Sequence, residues 1–242
     1  MSDPVVTIRG LVKQFAGGSL ALNGLDLSLA QGELFGVVGP DGAGKTTLLR
    51  ILAGVLGYDH GEVRVFGQLV SGKRGLQAVG YIPQRFSLYT DLTVAENLLV
   101  SYPKGRSVFG SLGFRRDATV QTRVEEIAEA VFLQDRLDEM AGILSHGQKQ
   151  WLEIGMLLIQ DPELIMLDEP VAGMSVRERQ QTGELLARIC QGRSMLIIEH
   201  DMDFVRSIAH KVTVMHQGKI LVEGSMDKVH DDPRVKEVYL GH

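Results

Sequence analysis

Short runs of alternating polarity give way along this chain to segments in which apolar residues recur at helical spacing. In the first third, Val5–Arg9, Leu25–Leu29 and Glu62–Phe66 alternate and predict the strands of an antiparallel subdomain. Residues 91–160 predict mostly helix, and Val120–Phe132 carries apolar residues at the period of one helix face. The first third and the middle of the chain therefore predict different architectures.

The last third returns to strands. Leu164–Leu167 and Met195–Ile198 are continuous apolar runs, as expected of parallel strands that are buried on both faces. Lys211–His216 and Lys219–Glu223 are joined by a Gln-Gly turn and predict a second antiparallel pair. The chain ends in Asp231–His242, whose pattern predicts a short helix.

Length and charge limit the alternatives. The length of 242 residues indicates a single domain over 1–242. The pattern predicts that this domain has a core lobe over about 1–90 and 161–242 and a helical lobe over about 91–160. The net charge of −5 argues against nucleic acid as a partner, because phosphate backbones are bound by basic surfaces. A single cysteine fits a reducing compartment, and no apolar stretch reaches the length of a membrane span. Any membrane-spanning part is therefore expected in another chain.

Segment 101–118 is the least regular part of the sequence. It combines glycines and a proline with four basic residues, Lys104, Arg106, Arg115 and Arg116. Charged stretches of this kind are usually solvated loops, which is the interpretation favoured here. A contact surface for a partner remains the alternative.

Residues 39–47 read Gly-Pro-Asp-Gly-Ala-Gly-Lys-Thr-Thr and match the phosphate-binding loop G-x-x-x-x-G-K-[ST]. The apolar run Leu34–Val38 precedes the loop, and a helical pattern follows over Thr46–Ala53. Strand, glycine-rich turn and helix are the context that this motif requires, because the helix N-terminus favours phosphate. Lys45 is expected to reach the β- and γ-phosphates, and the Thr46 hydroxyl is expected to ligate Mg²⁺. The loop residues expected at the nucleotide are Gly39, Pro40, Asp41, Gly42, Ala43, Gly44, Lys45, Thr46 and Thr47.

Polar residues follow three of the predicted strands. Asp168 and Glu169 come directly after a buried run, where a carboxylate is costly unless it meets a cation or hydrogen bonds. Asp168 is predicted to hold Mg²⁺, and Glu169 to orient and polarise an attacking water. His200 ends the next buried strand and is a candidate for contacting the γ-phosphate. Gln84 follows another short strand and is a candidate ligand of Mg²⁺ or water.

A second anion site is predicted at the start of a helix over about Gln148–Ile159. Ser145 and Gln148 have the spacing of a capping box, which is also compatible with a plain helix start. Ser145, the Gly147 N–H and Gln148 at a helix N-terminus form a candidate phosphate site. One chain would then own two γ-phosphate sites, and a two-fold dimer is the simplest arrangement that uses both.

The order of these motifs resembles the ATP-binding cassette (ABC) ATPases over essentially the whole chain. That resemblance implies an α/β P-loop NTPase fold with an ABC-type antiparallel β subdomain and a helical signature subdomain. It implies that Leu144–Gln148 is the signature segment, with His146 in place of a glycine, and that Phe15 stacks on adenine unless it is a core residue. It also implies ATP and Mg²⁺ as cofactors, ATP hydrolysis, a second identical or different ATPase subunit, and integral membrane subunits. The corresponding location is cytoplasmic, peripheral on the inner face of the cell membrane.

Two branches of that family are similar to different parts of the chain. From about residue 98 onward it resembles ATPase subunits of urea and branched-chain amino acid uptake, as in Glu169–Met174 and Glu199–Met202. Residues up to about 97, including Gly80–Leu98, resemble exporter-type cassettes of drug-efflux systems. A chimera joined near Thr93–Leu99 and a divergent uptake-type subunit both remain open. Exporter-type ATPases, and soluble ABC-type switches without a membrane subunit, are the alternative functions.

Overall fold

The structure, a computed structural model, describes residues 4–70, 78–84, 87–103 and 118–240. The chain divides into two units, the first made of residues 1–81, 163–170 and 186–242, and the second of residues 82–162 and 171–185. Among the described helices, none combines the length and the apolar character needed to cross a bilayer. Residues 104–117, on which most of the loop or partner-surface interpretation falls, lie outside the described residues.

The strands of the first unit form two sheets. In chain order they are β1 (Val6–Gln14), β2 (Leu20–Leu29), β3 (Leu34–Val38), β4 (His60–Val65), β5 (Gln68–Leu69), β6 (Val79–Ile82), β7 (Leu164–Asp168), β8 (Ser194–Ile198), β9 (Lys211–His216) and β10 (Lys219–Gly224). The four-stranded sheet has the order β2-β1-β4-β5, and β1 pairs antiparallel with both β2 and β4. The six-stranded sheet has the order β10-β9-β3-β8-β7-β6. The predicted antiparallel subdomain and the predicted β9–β10 pair are both confirmed.

Parallel pairing in the six-stranded sheet follows from the continuous apolar runs. Strand β3 pairs parallel with β8 and β9, and β7 pairs parallel with β8. Every residue of β3, β7 and β8 is buried, which is why these strands lack the alternation seen in β1 and β2. The carboxyl ends of β3, β7 and β8 therefore meet at one edge, where α/β sheets place their ligands.

Three helices of the first unit follow strands of this sheet, and a fourth follows the third of them along the chain. They are α1 (Lys45–Leu52), α6 (Met202–Ile208), α7 (Met226–Asp231) and α8 (Pro233–Leu240). The predicted C-terminal helix begins at Pro233, a residue suited to the first helical turn because its missing N–H has no partner to lose there.

The second unit is helical, as the periodicity of residues 91–160 predicts. It contains α2 (Val94–Ser101), α3 (Ala118–Ala130), α4 (His146–Leu158) and most of α5 (Val176–Ile189). Capping boxes begin both α2, at Thr93 and Glu96, and α4, at Ser145 and Gln148. Gly155 of α4 lies against α2 and α3, since a Cβ there would be 3.1 Å from Leu98 and 3.3 Å from Ile127. That glycine lets the three helices pack closely.

Candidate functional site

The phosphate-binding loop connects β3 to α1, as the motif requires. Gly39 has φ 150°, and a Cβ at this position would overlap the main-chain oxygen of Met215 on β9. Gly44 is the N-cap of α1 and is left-handed, with φ 100°. Only glycine fits both positions without strain. The backbone of the neighbouring strand β9 restricts the loop at Gly39, and the left-handed conformation restricts it at Gly44.

Lys45 is almost fully buried, at 6% exposed. Its Nζ donates hydrogen bonds to the main-chain oxygens of Gly39, at 2.6 Å, and Pro40, at 3.0 Å. Burial lowers the pKa of Lys45, while the negative charge of Asp41, followed by those of nearby carboxylates, opposes that shift. An ammonium group that is folded back onto its own loop can exchange these carbonyl oxygens for phosphate oxygens.

Asp168 lies at the carboxyl end of β7 and is 2% exposed. Its Oδ1 accepts a 3.4 Å hydrogen bond from the Thr46 hydroxyl, and its Oδ2 has no hydrogen-bond partner within the part of the chain that is described. Burial raises the pKa of Asp168, and the hydrogen bond from Thr46 opposes that rise. A buried carboxylate oxygen without a partner is costly, and a divalent cation is the partner that this donor set would suit.

Glu169 and His200 lie together at the same sheet edge. His200 Nδ1 is 3.8 Å from a carboxylate oxygen of Glu169, and the histidine side chain is 61% exposed, against 17% for the glutamate. Glu169 has φ 55°, an unfavourable conformation for a residue with a Cβ, and its N–H donates to the Ile198 carbonyl. Strain of this kind persists only where the surroundings impose it, and it concentrates at functional sites.

Glu199 is a site residue that the sequence reasoning missed. Its side chain is fully buried, its carboxylate accepts from the His200 N–H at 3.2 Å, and its charge acts on Lys45. The available signal was its place directly after a buried strand, the same position that singled out Asp168. Strands β7 and β8 therefore each deliver an acid to the edge beside the phosphate-binding loop.

Two further candidates lie on the surface of their units. Phe15 follows β1 and is 40% exposed, so it is not a core residue, and the Lys13 ammonium lies 5.5 Å from the centre of its ring. An exposed aromatic side chain is free to stack on a flat ligand. Gln84 follows β6 and is also exposed, and it belongs to the helical unit.

The signature segment begins α4 with a capping box, in which Ser145 and Gln148 hydrogen-bond each other. Ser145 Oγ accepts from the Gln148 N–H at 3.3 Å, and Gln148 Oε1 accepts from the Ser145 N–H at 2.9 Å. His146 Nε2 lies 2.9 Å from the Ala172 carbonyl oxygen, so the histidine that replaces a glycine connects the start of α4 to the segment before α5. That contact gives His146 a structural role that its sequence position did not suggest.

Glu178 of α5 places its carboxylate directly over Gly147. A Cβ on Gly147 would lie 2.7 Å from the Glu178 carboxyl carbon. The Ser175 hydroxyl and N–H donate to Glu178 and lower its pKa, with smaller contributions from the charge of His146 and the Ser145 hydroxyl. The predicted anion position at this helix N-terminus is thus covered by a carboxylate of the same chain.

Comparison with known proteins bears directly on these two units. The family model described as "ABC transporter" matches residues 22–172. BraF of Pseudomonas aeruginosa, a high-affinity branched-chain amino acid transport ATP-binding protein, is 33% identical over 254 residues, covering 100% of this chain and 99% of the relative. LivG of Escherichia coli, with the same description, has the same identity and coverage.

A solved structure agrees over the same extent. An ATP-binding cassette of an ABC transporter in its ADP conformation has a TM-score of 0.84 and 30% identity to this chain, and it covers 100% of both chains. Both the sequence and the fold are therefore similar to these proteins from end to end.

Proposed function

This chain belongs to the ABC transporter family as an ATP-binding subunit with ATPase activity, and we propose that it powers the uptake of branched-chain amino acids. In this proposal, two such subunits close over ATP and drive integral membrane subunits, to which they attach at the cytoplasmic face of the cell membrane. The observation that carries the catalytic part is the pair of Lys45 and Asp168. A buried ammonium group lies beside one glycine-rich loop together with a buried carboxylate, one oxygen of which has no hydrogen-bond partner among the described residues.

We propose that the ATP phosphates lie on residues 39–47 and that the adenine stacks on Phe15. Main-chain N–H groups of the loop and the N-terminus of α1 attract phosphate oxygens, and Lys45 turns from the Gly39 and Pro40 carbonyls toward the β- and γ-phosphates. The exposure of Phe15 supports stacking on a flat ring.

Thr46 and Asp168 would hold Mg²⁺, with Gln84 as a third candidate. The fit rests on the Asp168 oxygen that has no hydrogen-bond partner in the described part of the chain and on the hydroxyl beside it, both of them ligands that suit a hard cation. Bound there, the ion would supply charge that stabilises the phosphate oxygens of the nucleotide.

Glu169 would orient the water that attacks the γ-phosphate, and His200 would help to hold that water and the phosphate in place. The 3.8 Å separation of His200 and Glu169 puts both groups at one edge of the sheet. Hydrolysis of this type depends mainly on positioning and on stabilisation of charge, so fixed side chains matter more than strong bases.

The second γ-phosphate site would be formed by Ser145, Gly147 and Gln148 of the other subunit in a two-fold dimer. Both this site and the phosphate-binding loop then become complete only when two chains meet. Since the Glu178 carboxylate covers Gly147 in the single chain, it has to move, or be displaced by phosphate, before the dimer closes.

The similarity to BraF and LivG supports branched-chain amino acid uptake as the transport function, and neither relative supports urea specifically. End-to-end alignment with these uptake subunits also makes a divergent uptake-type subunit the simpler alternative to a chimera. Reconstitution with the membrane subunits of a branched-chain amino acid system, followed by uptake of labelled leucine and labelled urea, distinguishes the two substrates.

Light scattering of Glu169→Gln with and without Mg-ATP tests the shared-site mechanism. The variant is expected to bind ATP without hydrolysing it, so a monomer should become a dimer only when Mg-ATP is present. Lys45→Ala in the same background is the matched control and should stay monomeric. A Glu169→Gln variant that hydrolyses ATP at the wild-type rate would remove Glu169 from the mechanism.

A further inference from the structure

Lys13 and Asp59 form an ion pair beside Phe15, and neither of them has a role in the proposed function. The Lys13 ammonium lies over the Phe15 ring, 5.5 Å from its centre, and donates a 3.4 Å hydrogen bond to the Asp59 carboxylate. A cation at this distance from an aromatic face is attracted by the π electrons of the ring. The Lys13 side chain is only 14% exposed, although lysine side chains are usually solvated. Its ammonium group therefore contacts both the ring and the carboxylate.

Asp59 holds the end of β1, the strand that leads into Phe15. One of its carboxylate oxygens accepts a 2.6 Å hydrogen bond from the Gln14 N–H, and its own N–H donates to the Val12 carbonyl at 3.0 Å. The hydrogen bond from Gln14 lowers the pKa of Asp59, desolvation opposes this shift, and the hydrogen bond from Lys13 adds to it. The carboxylate is therefore charged at neutral pH. One aspartate thus contacts three consecutive residues of β1.

The turn that carries Phe15 is closed by its own backbone hydrogen bonds. The Phe15 N–H donates to the Ser19 carbonyl at 2.8 Å, and the Phe15 carbonyl accepts from the Gly18 N–H at 3.1 Å. The Gln14 side-chain amide also donates to the Gly18 carbonyl, at 3.1 Å. Because the backbone is held on both sides of Phe15, the position of the ring depends mainly on its side-chain torsions, and the Lys13 ammonium over one face restricts these. The orientation of the ring is thus set before a ligand arrives.

We propose that Lys13 and Asp59 are positioning residues for Phe15, and that they determine which face of the ring receives the nucleobase. Since the ammonium group covers one face, the base stacks on the other. The cation also draws π-electron density toward its own side of the ring, which makes the opposite face less negative and reduces its repulsion with the π electrons of a purine. A preorganised ring loses less conformational freedom on binding than a mobile one. This inference rests on the proposed stacking of adenine on Phe15.

The test compares adenine nucleotides with inorganic tripolyphosphate, which has phosphates but no base. K13M removes the ammonium group and keeps a side chain of similar length. It should weaken the binding of Mg-ADP by about two- to fivefold in isothermal titration calorimetry, the size of a cation–π contact at an exposed site. The KM for ATP hydrolysis should rise while kcat stays within about twofold, because the lost interaction contributes equally to the ground state and the transition state. Inhibition of ATP hydrolysis by tripolyphosphate should not change, because Lys13 acts through the ring.

Two matched variants separate the effect on the ring from a general effect of charge. K13R keeps a cation that can lie over an aromatic ring and pair with a carboxylate, so it should recover most of the affinity for Mg-ADP. K236M removes an exposed ammonium group that is paired with the Asp231 carboxylate on α7, and it should bind Mg-ADP as wild type does.

F15A completes a double-mutant cycle. It should weaken Mg-ADP binding by about fivefold or more, since stacking of a base on an aromatic ring contributes this much. The pair K13M/F15A should bind no more weakly than F15A, because Lys13 has no ring left to act on. If K13M does not fold, D59N takes its place in the cycle, since it removes the charge that holds Lys13 and keeps an acceptor for the Gln14 N–H.

Three results would overturn the inference: wild-type affinity in K13M, losses that multiply in the pair, or weaker inhibition of K13M by tripolyphosphate. If F15A binds Mg-ADP as tightly as wild type, the proposed stacking on Phe15 fails together with this inference. A weakened F15A beside a normal K13M overturns this inference alone.

Discussion

Replacing Glu153 by glutamine should stabilise the protein at high pH and have little effect at low pH. The pKa of Glu153 rises from 4.5 to about 7 because the carboxyl is buried. A raised carboxyl pKa favours the folded state fully below pH 4.5, and this contribution is lost as pH rises through about 7. At about 1.36 kcal/mol per pKa unit, the loss at pH 8 is about 3 kcal/mol. Glutamine never ionises, so E153Q should avoid most of it.

Differential scanning calorimetry from pH 5 to pH 8 measures this difference. For a protein of this size, about 3 kcal/mol corresponds to a melting-temperature gain of about 6–12 °C at pH 8, and the gain should shrink to about a quarter of that at pH 5. E129Q, at an exposed glutamate of the same unit, is the control for loss of one charge. A difference between E153Q and wild type that stays constant across this range would refute the reasoning from burial.

Three further predictions concern the nucleotide sites. Lys45→Ala should weaken ATP binding by about tenfold or more, since it removes the ammonium group at the phosphate-binding loop; wild-type affinity by isothermal titration calorimetry would contradict the assignment. Asp168→Asn should abolish the activation of hydrolysis by Mg²⁺, because a neutral amide coordinates the cation poorly; a phosphate-release assay over a Mg²⁺ titration that matches wild type would rule this out. Glu178→Gln, made in the Glu169→Gln background, should lower the ATP concentration for half-maximal dimerisation by about threefold or more, because it removes the negative charge that lies over Gly147. Light scattering measures this concentration, and an unchanged midpoint would mean that Glu178 does not compete with phosphate.

Features that depend on near neighbours in the chain can be predicted from the amino-acid sequence alone. The phosphate-binding loop between β3 and α1, the capping boxes at Thr93 and Ser145, and the β9–β10 hairpin all follow from residues within a few positions of one another. Local backbone preferences and hydrogen bonds determine such elements, so they can be predicted from residue types without knowledge of the fold. The buried parallel strands can be predicted for a related reason, because burial on both faces requires continuous apolar runs.

Contacts between residues far apart in the sequence became known only from the folded arrangement. Parallel pairing of β7 with β8 puts Glu199 at the same edge as Asp168, although the chain separates them by an entire helix. Packing of α5 puts the Glu178 carboxylate over Gly147, and the Glu153 carboxyl is buried so that one of its oxygens has no hydrogen-bond partner among the described residues. Side chains far apart in sequence acquire their neighbours, their desolvation and hence their charge state from long-range packing, which no local pattern encodes.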